Sequence, residues 1–308
     1  MGRLPRKKDK LENMRILYFS DSYAHNVMGT KRSIRQEVAS RGHSVIYQDK
    51  ARIPGILNLI KAHKPDQVWI AHSFALLSSN IRRKAGIPIV GFGFSDPNNF
   101  NENRLLGYNA YITNYYATYL KYKNEMPVFY NPTACDFRFH RTLYIEKDID
   151  ISFIGISEHP HFKDRHMRIK IIHSLMRNLD FKIMSYGKGW LGGNIEGMAF
   201  LKVINRSRIG LDIQDEDSPL AHRMLEYSAC GTPVITRERE EVKMLFSPDE
   251  EILTYKSYDD LKEKLIFYLD NPKKLEAVGR RAKDRCLREH DIKYRVDGIL
   301  NFLDEVFQ

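Results

Sequence analysis

The sequence predicts an α/β protein built from two doubly wound, Rossmann-like domains, each with a parallel sheet at its centre. Three observations carry this. Short runs that are apolar throughout, such as ILYF (Ile16–Phe19), have the length and content of strands buried on both faces. These runs alternate with segments of helical periodicity, the order that a parallel sheet with crossover helices requires. The alternation stops over Thr133–Asp148, where no long period exists and charge clusters, and it then restarts.

In the first half, MRILYFSD (Met14–Asp21) is the opening strand, and the loop SYAHNVMGT leads to a helix over Thr30–Ser40 that stops at Arg41-Gly42. HSVIYQD is a strand, Ile53–His63 a helix, PDQVWIAHS a strand, Ala75–Ala85 a helix and IPIVGFGFSD a strand. NAYITN, YYATYLKYK and MPVFYNP continue as strand, helix and strand. In the second half, DIDISFIGI, FKIMSYG and IGLDIQD are strands, separated by helices over His166–Leu179 and Met198–Arg206. Pro219–Cys230 is predicted helical, and TPVIT and EEILTY are strands. Tyr258–Leu269 and Pro272–Arg288 are helices, and a final helix starts near Ile292. The expected division is a basic tail over 1–13, a first domain over 14–140, a second over 141–291, and a C-terminal helix over 292–308 that packs back on the first.

The 308 residues suffice for two domains. Hydrophobic residues at 43% and charged residues at 29% exclude a disordered chain. No apolar run approaches the ~20 residues that cross a bilayer, and MGRLPRKKDKLEN lacks the apolar core of a secretion signal. A cytoplasmic protein, able to sit peripherally at a membrane, is expected. Cys135, Cys230 and Cys286 are odd in number and scattered, which favours reduced, buried thiols over disulfides or zinc. The net charge of +10 favours anionic partners: nucleic acid, acidic lipid head groups or phosphorylated small molecules. No G-x-G-x-x-G follows the first strand and no P-loop motif exists, which weakens the common dinucleotide and nucleoside-triphosphate readings.

The most informative stretch is SPLAHRMLEYSACGTPVI (Ser218–Ile235). Ser218 suits an N-cap and Pro219 the first helical position. The backbone N–H groups of Leu220, Ala221 and His222 would then face outward with the positive end of the helix dipole, ready for a phosphate. Arg223, one turn in, can reach the same anion with a planar fork of donors. Glu226 would lie about 12 Å along the axis from the start, at roughly 1.5 Å per residue. That separation suits a diphosphate at the helix start with ribose hydroxyls further on. Spacing alone equally allows a surface ion pair between Arg223 and Glu226.

RMLEYSACGTPVIT (Arg223–Thr236), with VINRSRIGLDIQ before it and the charged helices after it, resembles the donor-site segment of GT-B glycosyltransferases of the family-4 type. The likeness is closest to the spore-maturation-type branch, which has serine-proline, an arginine, then a glutamate three residues on. It covers about residues 150–300 and is only architectural over 14–135. It implies a GT-B fold with two domains facing across a cleft. It also implies a nucleotide diphosphate sugar donor, such as a UDP-sugar, on the second domain and the acceptor on the first. Retention at the anomeric carbon is implied as well. Glu226 would hold the ribose, and Arg223 with the helix start the diphosphate. The family carries two glutamates eight positions apart. Eight before Glu226 stands Ser218, so the donor-sugar contact is vacant or falls to Asp215, Glu216 or Asp217.

Other residues fit the same scheme. After the first strand of the second half, Gly155 permits close approach of backbone to a ligand. Lys163 and Arg165 match the basic pair that neutralises phosphate in the family, although a solvated loop fits them too. Tyr186 and Gly187, in SYGKGW, would border the nucleotide base, or simply form a turn. In the first half, Asp96 ends a strand in GFSDPNNF and can take a proton from an acceptor hydroxyl, or merely open an Asp-Pro turn. His25, near Gly29, is a further catalytic candidate, and His72 a rival base. The aromatics and lysines of YITNYYATYLKYK suit stacking on sugars or bases, or a half-buried helix face. No D-x-D stands in a suitable loop, since Asp148–Asp150 enters a strand and Asp215–Asp217 precedes the phosphate helix. No obligatory metal or other cofactor is expected. Leaving-group charge falls to Arg223, the helix start, and Lys163 or Arg165. The acceptor stays open among glycan, protein, membrane-surface lipid and modified DNA. A non-catalytic nucleotide-sugar binder is the reading from another class.

Overall fold

The structure is a computed structural model and describes residues 13–20, 30–71, 77–94, 102–159, 163–215 and 218–308. The chain divides into two compact units, Met1–Pro132 with Ile292–Gln308, and Thr133–Asp291.

The first unit is centred on six parallel strands, β1 (Arg15–Ser20), β2 (Ser44–Asp49), β3 (Gln67–Ala71), β4 (Ile89–Gly93), β5 (Ala110–Thr113) and β6 (Val128–Tyr130), in the order β2-β1-β3-β4-β5-β6. Burial of β3, β4 and β5 on both faces explains their unbroken apolar runs. The helices are α1 (Thr30–Ser40), α2 (Ile56–His63), α3 (Ser79–Ala85) and α4 (Tyr116–Tyr122). The helix expected from Ile53 begins at Ile56 instead. Pro54 lacks an N–H, and the stretch Lys50–Gly55 forms a tighter 3-10 turn capped by Asp49. Helix α3 starts at Ser79 because Ser78 Oγ accepts from the Ile81 N–H. The C-terminal helix α11 (Ile292–Phe307) belongs to this unit. Asp297 pairs with Arg41 at 3.0 Å, and Phe302 stacks on Phe129 at 5.2 Å.

The second unit has five parallel strands, β7 (Ile149–Ile154), β8 (Ile183–Tyr186), β9 (Ser207–Asp212), β10 (Val234–Arg237) and β11 (Leu253–Tyr255), in the order β11-β10-β9-β7-β8. Its helices are α5 (Met167–Asn178), α6 (Gly197–Arg206), α7 (His222–Ala229), α8 (Glu240–Leu245), α9 (Tyr258–Asp270) and α10 (Pro272–Arg285). Helix α8 is too short to show a period in the sequence. A π-type turn over Cys286–His290 ends α10 three residues before the predicted Arg288. The stretch 133–148 packs into this unit: Leu143 N–H donates to Asn205 Oδ1 at 2.7 Å, and Thr142 Oγ1 donates to the Cys230 carbonyl at 2.8 Å.

Both sheets wind the same way. The strand order reverses between β1 and β3 in one, and between β7 and β9 in the other. In such sheets ligands bind beyond the carboxyl ends of the strands at that reversal. The three cysteines are free and buried.

Helix α7 is held down from beneath. The Tyr227 hydroxyl meets Ser152 Oγ of β7 at 2.7 Å, and Ser207 Oγ of β9 donates to the same oxygen at 2.7 Å. Gly210 leaves room for the Tyr227 ring, which a Cβ there would meet at 2.4 Å. From above, α10 closes over the turn that follows α7, and a Cβ on Gly279 would lie 2.4 Å from the Gly231 carbonyl. Gly279→Ala should therefore lower stability by about 1–3 kcal/mol through overpacking. Urea unfolding should show a lower midpoint with an unchanged slope.

Candidate active site

The carboxyl ends of β7 and β9 meet the start of α7 at the strand reversal of the second unit. Glycines bring the adjoining loops together. Gly155 N–H donates to the Tyr186 carbonyl at 2.8 Å, and Ser157 N–H to the Lys188 carbonyl at 2.9 Å. Gly187 has φ of +116°, and a Cβ on it would lie 2.3 Å from the Gly155 carbonyl oxygen. No other residue fits there on either count. Tyr186 is half-buried at the end of β8. A Cβ on Gly155 would lie 3.2 Å from both terminal nitrogens of Arg223, so this glycine lets the guanidinium lie directly on the backbone.

Arg223 is the centre of a buried charge cluster. Its guanidinium lies 5.0 Å from the centre of the Phe153 ring, and that of Arg168 lies 5.5 Å from the same ring. One carboxylate serves both. Asp212, the last residue of β9, is 1% exposed and has Oδ1 at 3.4 Å from Arg223 Nη1. Its Oδ2 accepts from Thr236 Oγ1 at 3.0 Å. Arg168 also donates to the carbonyls of Ile213 and Ile156, at 3.2 and 3.1 Å. Burial first, then the neighbouring Arg223, depresses Arg168 to about 9. Arg223 Nη1 is buried and makes no hydrogen bond among the described residues. Two cations thus share one anion in a desolvated place, an arrangement that a ligand with negative charge would complete.

The helix start differs from the expectation. α7 begins at His222, not at Pro219, and its N-cap is Ala221, with no side-chain cap. Ser218 is therefore not the N-cap, and Pro219, Leu220 and Ala221 precede the first turn. The cause is packing. Leu220 is 5% exposed and joins the same core cluster as Leu225. A residue just before the cap that packs against the fourth helical residue is a hydrophobic staple. The proline also disfavours helical backbone at Ser218. The outward N–H groups of the helix start are accordingly those of His222, Arg223 and Met224. Glu226 stands four residues from the start, about 6 Å along the axis at roughly 1.5 Å per residue, half the expected separation.

Glu226 is nearly enclosed, with 15% of its side chain exposed. Burial raises it to about 7 against the opposing pull of Arg223. The nearest base is His140, whose Nε2 lies 3.8 Å from Glu226 Oε1. Burial lowers both His140 and His222 to about 4, so both are neutral near pH 7.

Of the other predicted residues, Lys163 and Arg165 have exposed side chains. Arg165 Nε donates to His166 Nε2 at 3.1 Å, and the backbone N–H of Lys163 donates to Asp215 Oδ2 at 3.1 Å. The cation packed beside Arg223 on the Phe153 ring is Arg168. Arg168 falls in phase with Ile172 and Leu175 on the buried stripe of α5, a signal that the sequence carries. Asp212 ends the buried strand β9, directly after the apolar run Ile209–Leu211. His140 lies in a stretch without period, and nothing in the sequence marks it. Asp148 is held by Arg206 and Lys182, and Asp150 by Arg208, so the D-x-D at the start of β7 is engaged in ion pairs. His25, Gly29, His72, Asp96, Glu216 and Asp217 lie outside the described residues.

Residues 165–301 match the family described as glycosyl transferase-like. No curated protein sequence matches the chain. Among solved structures, that of Anabaena Alr3699/HepE in complex with UDP-glucose is 12% identical, with a TM-score of 0.72 over 95% of this chain and 100% of that one. Sucrose-phosphate synthase (tll1590) from Thermosynechococcus elongatus is 12% identical, with a TM-score of 0.68 over 96% and 99%. The apo lipopolysaccharide outer core galactosyltransferase WaaB is 10% identical, with a TM-score of 0.65 over 94% and 99%.

The elevated Glu226 carboxyl sets a pH signature. A group raised in the fold stabilises fully below its unfolded value and loses that contribution as pH rises through its folded value. Wild type should therefore lose stability relative to Glu226→Gln between about pH 4.5 and pH 7. The gap at pH 8 should be on the order of 1–3 kcal/mol, read from urea titrations of both proteins at each pH. The chain has the fold of the GT-B glycosyltransferases, and its residues 165–301 match the glycosyl transferase-like family.

Proposed function

We propose that the protein transfers a sugar from a nucleoside diphosphate sugar to an acceptor hydroxyl, with retention at the anomeric carbon and without an obligatory metal ion. The observation that carries this is the buried, hydrogen-bond-free Nη1 of Arg223 beside Gly155 at the start of α7. Arg223, Arg168 and the first N–H groups of α7 bind the diphosphate, and Glu226 binds the ribose hydroxyls. The solved relative with bound UDP-glucose supports a UDP-sugar donor. In the reaction the acceptor oxygen bonds to the anomeric carbon, and the bond from that carbon to the phosphate oxygen breaks. The nucleoside diphosphate leaves with the bonding electrons. Two guanidiniums already in place stabilise that charge without reorganisation. On the sequence alone, Asp96 or His25 takes the hydroxyl proton. The net charge of +10 favours an acceptor with anionic character, such as a glycan or a lipid at the cytoplasmic membrane surface. The serine-proline, arginine and glutamate of Ser218–Glu226 favour the spore-maturation-type branch.

A thermal-shift screen of UDP, GDP, TDP and CMP sugars tests the donor. A ligand at 100 times its Kd should stabilise the protein by about 2.7 kcal/mol. Stabilisation by none of them would remove the reading, and binding without transfer or hydrolysis would reduce the protein to a nucleotide-sugar binder. Glu226→Ala should weaken nucleoside diphosphate binding by about 1–3 kcal/mol in calorimetry, through loss of a charged hydrogen bond. Arg223→Ala should cut turnover by about 100-fold or more. Native kinetics in that variant would take Arg223 out of the mechanism.

A further inference from the structure

His140 lies between the elements, and the scheme above gives it no task. Its ring is nevertheless fixed. The N–H groups of Phe139 and His140 both donate to the Asp136 carbonyl, at 2.9 and 2.8 Å, closing a tight turn. The Asp136 carboxylate is gripped by the backbone and guanidinium of Arg138. The Asp136 N–H then donates to His140 Nδ1 at 3.0 Å. A neutral imidazole that accepts at Nδ1 carries its proton on Nε2. That Nε2–H is buried in a side chain 3% exposed, and it makes no hydrogen bond among the described residues.

Its nearest carboxylate oxygen, Glu226 Oε1 at 3.8 Å, is too distant for a hydrogen bond and near enough to close with one small side-chain movement. The ionisable groups that bear on Glu226 are His140 on its turn, Arg223 and Tyr227 on α7, and Cys230 after it. Among these, the fixed Nε2 of His140 comes within 3.8 Å of a carboxylate oxygen from outside the helix. An orphaned buried donor is costly, so the turn holds it at the expense of stability until an acceptor arrives.

Resting on the ribose role proposed for Glu226, we propose that His140 is a positioning residue. Its Nε2–H hydrogen-bonds one oxygen of Glu226 when a nucleoside diphosphate is bound. The carboxylate is thereby turned so that its other oxygen accepts from the ribose diol. The histidine would act on the sugar-binding part of the nucleotide and leave diphosphate binding untouched.

Calorimetric titration with UDP, 2′,3′-dideoxy-UDP and inorganic pyrophosphate tests this, with the GDP or ADP series used where wild type prefers that base. His140→Phe should bind UDP about 10-fold more weakly, the loss of one hydrogen bond to a charged group. It should bind the dideoxy analogue and pyrophosphate as wild type does. His140→Gln, which keeps a donor, should recover part of the loss, and the loss should vanish in a Glu226→Ala background, which removes the acceptor. Equal weakening of UDP and pyrophosphate, no weakening at all, or a loss that persists in the Glu226→Ala background would each overturn the proposal. If His140→Phe does not fold, the wild-type imidazole Nε2–H resonance decides the matter by nitrogen-15 NMR. It should shift on addition of UDP and stay in place on addition of pyrophosphate, and an unmoved resonance with UDP overturns the proposal. A wild type that binds no nucleoside diphosphate removes this proposal and the ribose role together. Binding that is indifferent to His140 removes this proposal alone.

Discussion

Two guanidiniums packed on one aromatic ring and sharing a single buried carboxylate set the terms for the second unit. Burying a cation is costly unless an anion or hydrogen bonds accompany it. Arg168 meets that demand with two backbone carbonyls, and Arg223 with Asp212 as its ion-pair partner among the described residues. The arrangement persists because its supports are rigid. Asp212 is braced by Thr236, Phe153 belongs to a strand buried in the sheet, and α7 is pinned through Tyr227 to Ser152. A diphosphate would supply the charge that the fold leaves out.

The same desolvation acts in opposite senses on the groups around the cluster. It raises Glu226 and lowers His140 and His222, so each is driven toward its neutral form. The charge beside them is that of the Arg223–Asp212 ion pair and of Arg168, packed on the same ring. Glu226 is poised where the arrival of two hydroxyl donors would favour its ionised form. Its behaviour toward ligand and toward pH follow from one cause.

Glycines do structural work around this chemistry. Gly187 lets the loop after β8 touch the loop after β7, and Gly155 lets Arg223 rest on backbone. Gly210 and Gly279 admit Tyr227 and the turn after α7. A glycine in such a loop thus acts on a ligand indirectly, by setting the place of the side chain that meets it.

The alternation of apolar runs and helical periods in the sequence determined the doubly wound class, because a strand buried on both faces must be apolar throughout. The order of Arg223, Glu226 and Gly231 similarly determined which helix carries the proposed site, since each follows from local spacing and capping. Only the tertiary structure decided where that helix starts. Leu220 reaches a core that no local pattern describes, and it carries Ser218–Ala221 out of the first turn. The place of Arg168 beside Arg223 also came from burial on α5. Asp212 and His140 entered the site across 11 and 86 residues from Arg223 and Glu226 respectively, counted from their positions. Contacts between residues so separated depend on sheet order and turn geometry, and spacing along a chain does not encode those.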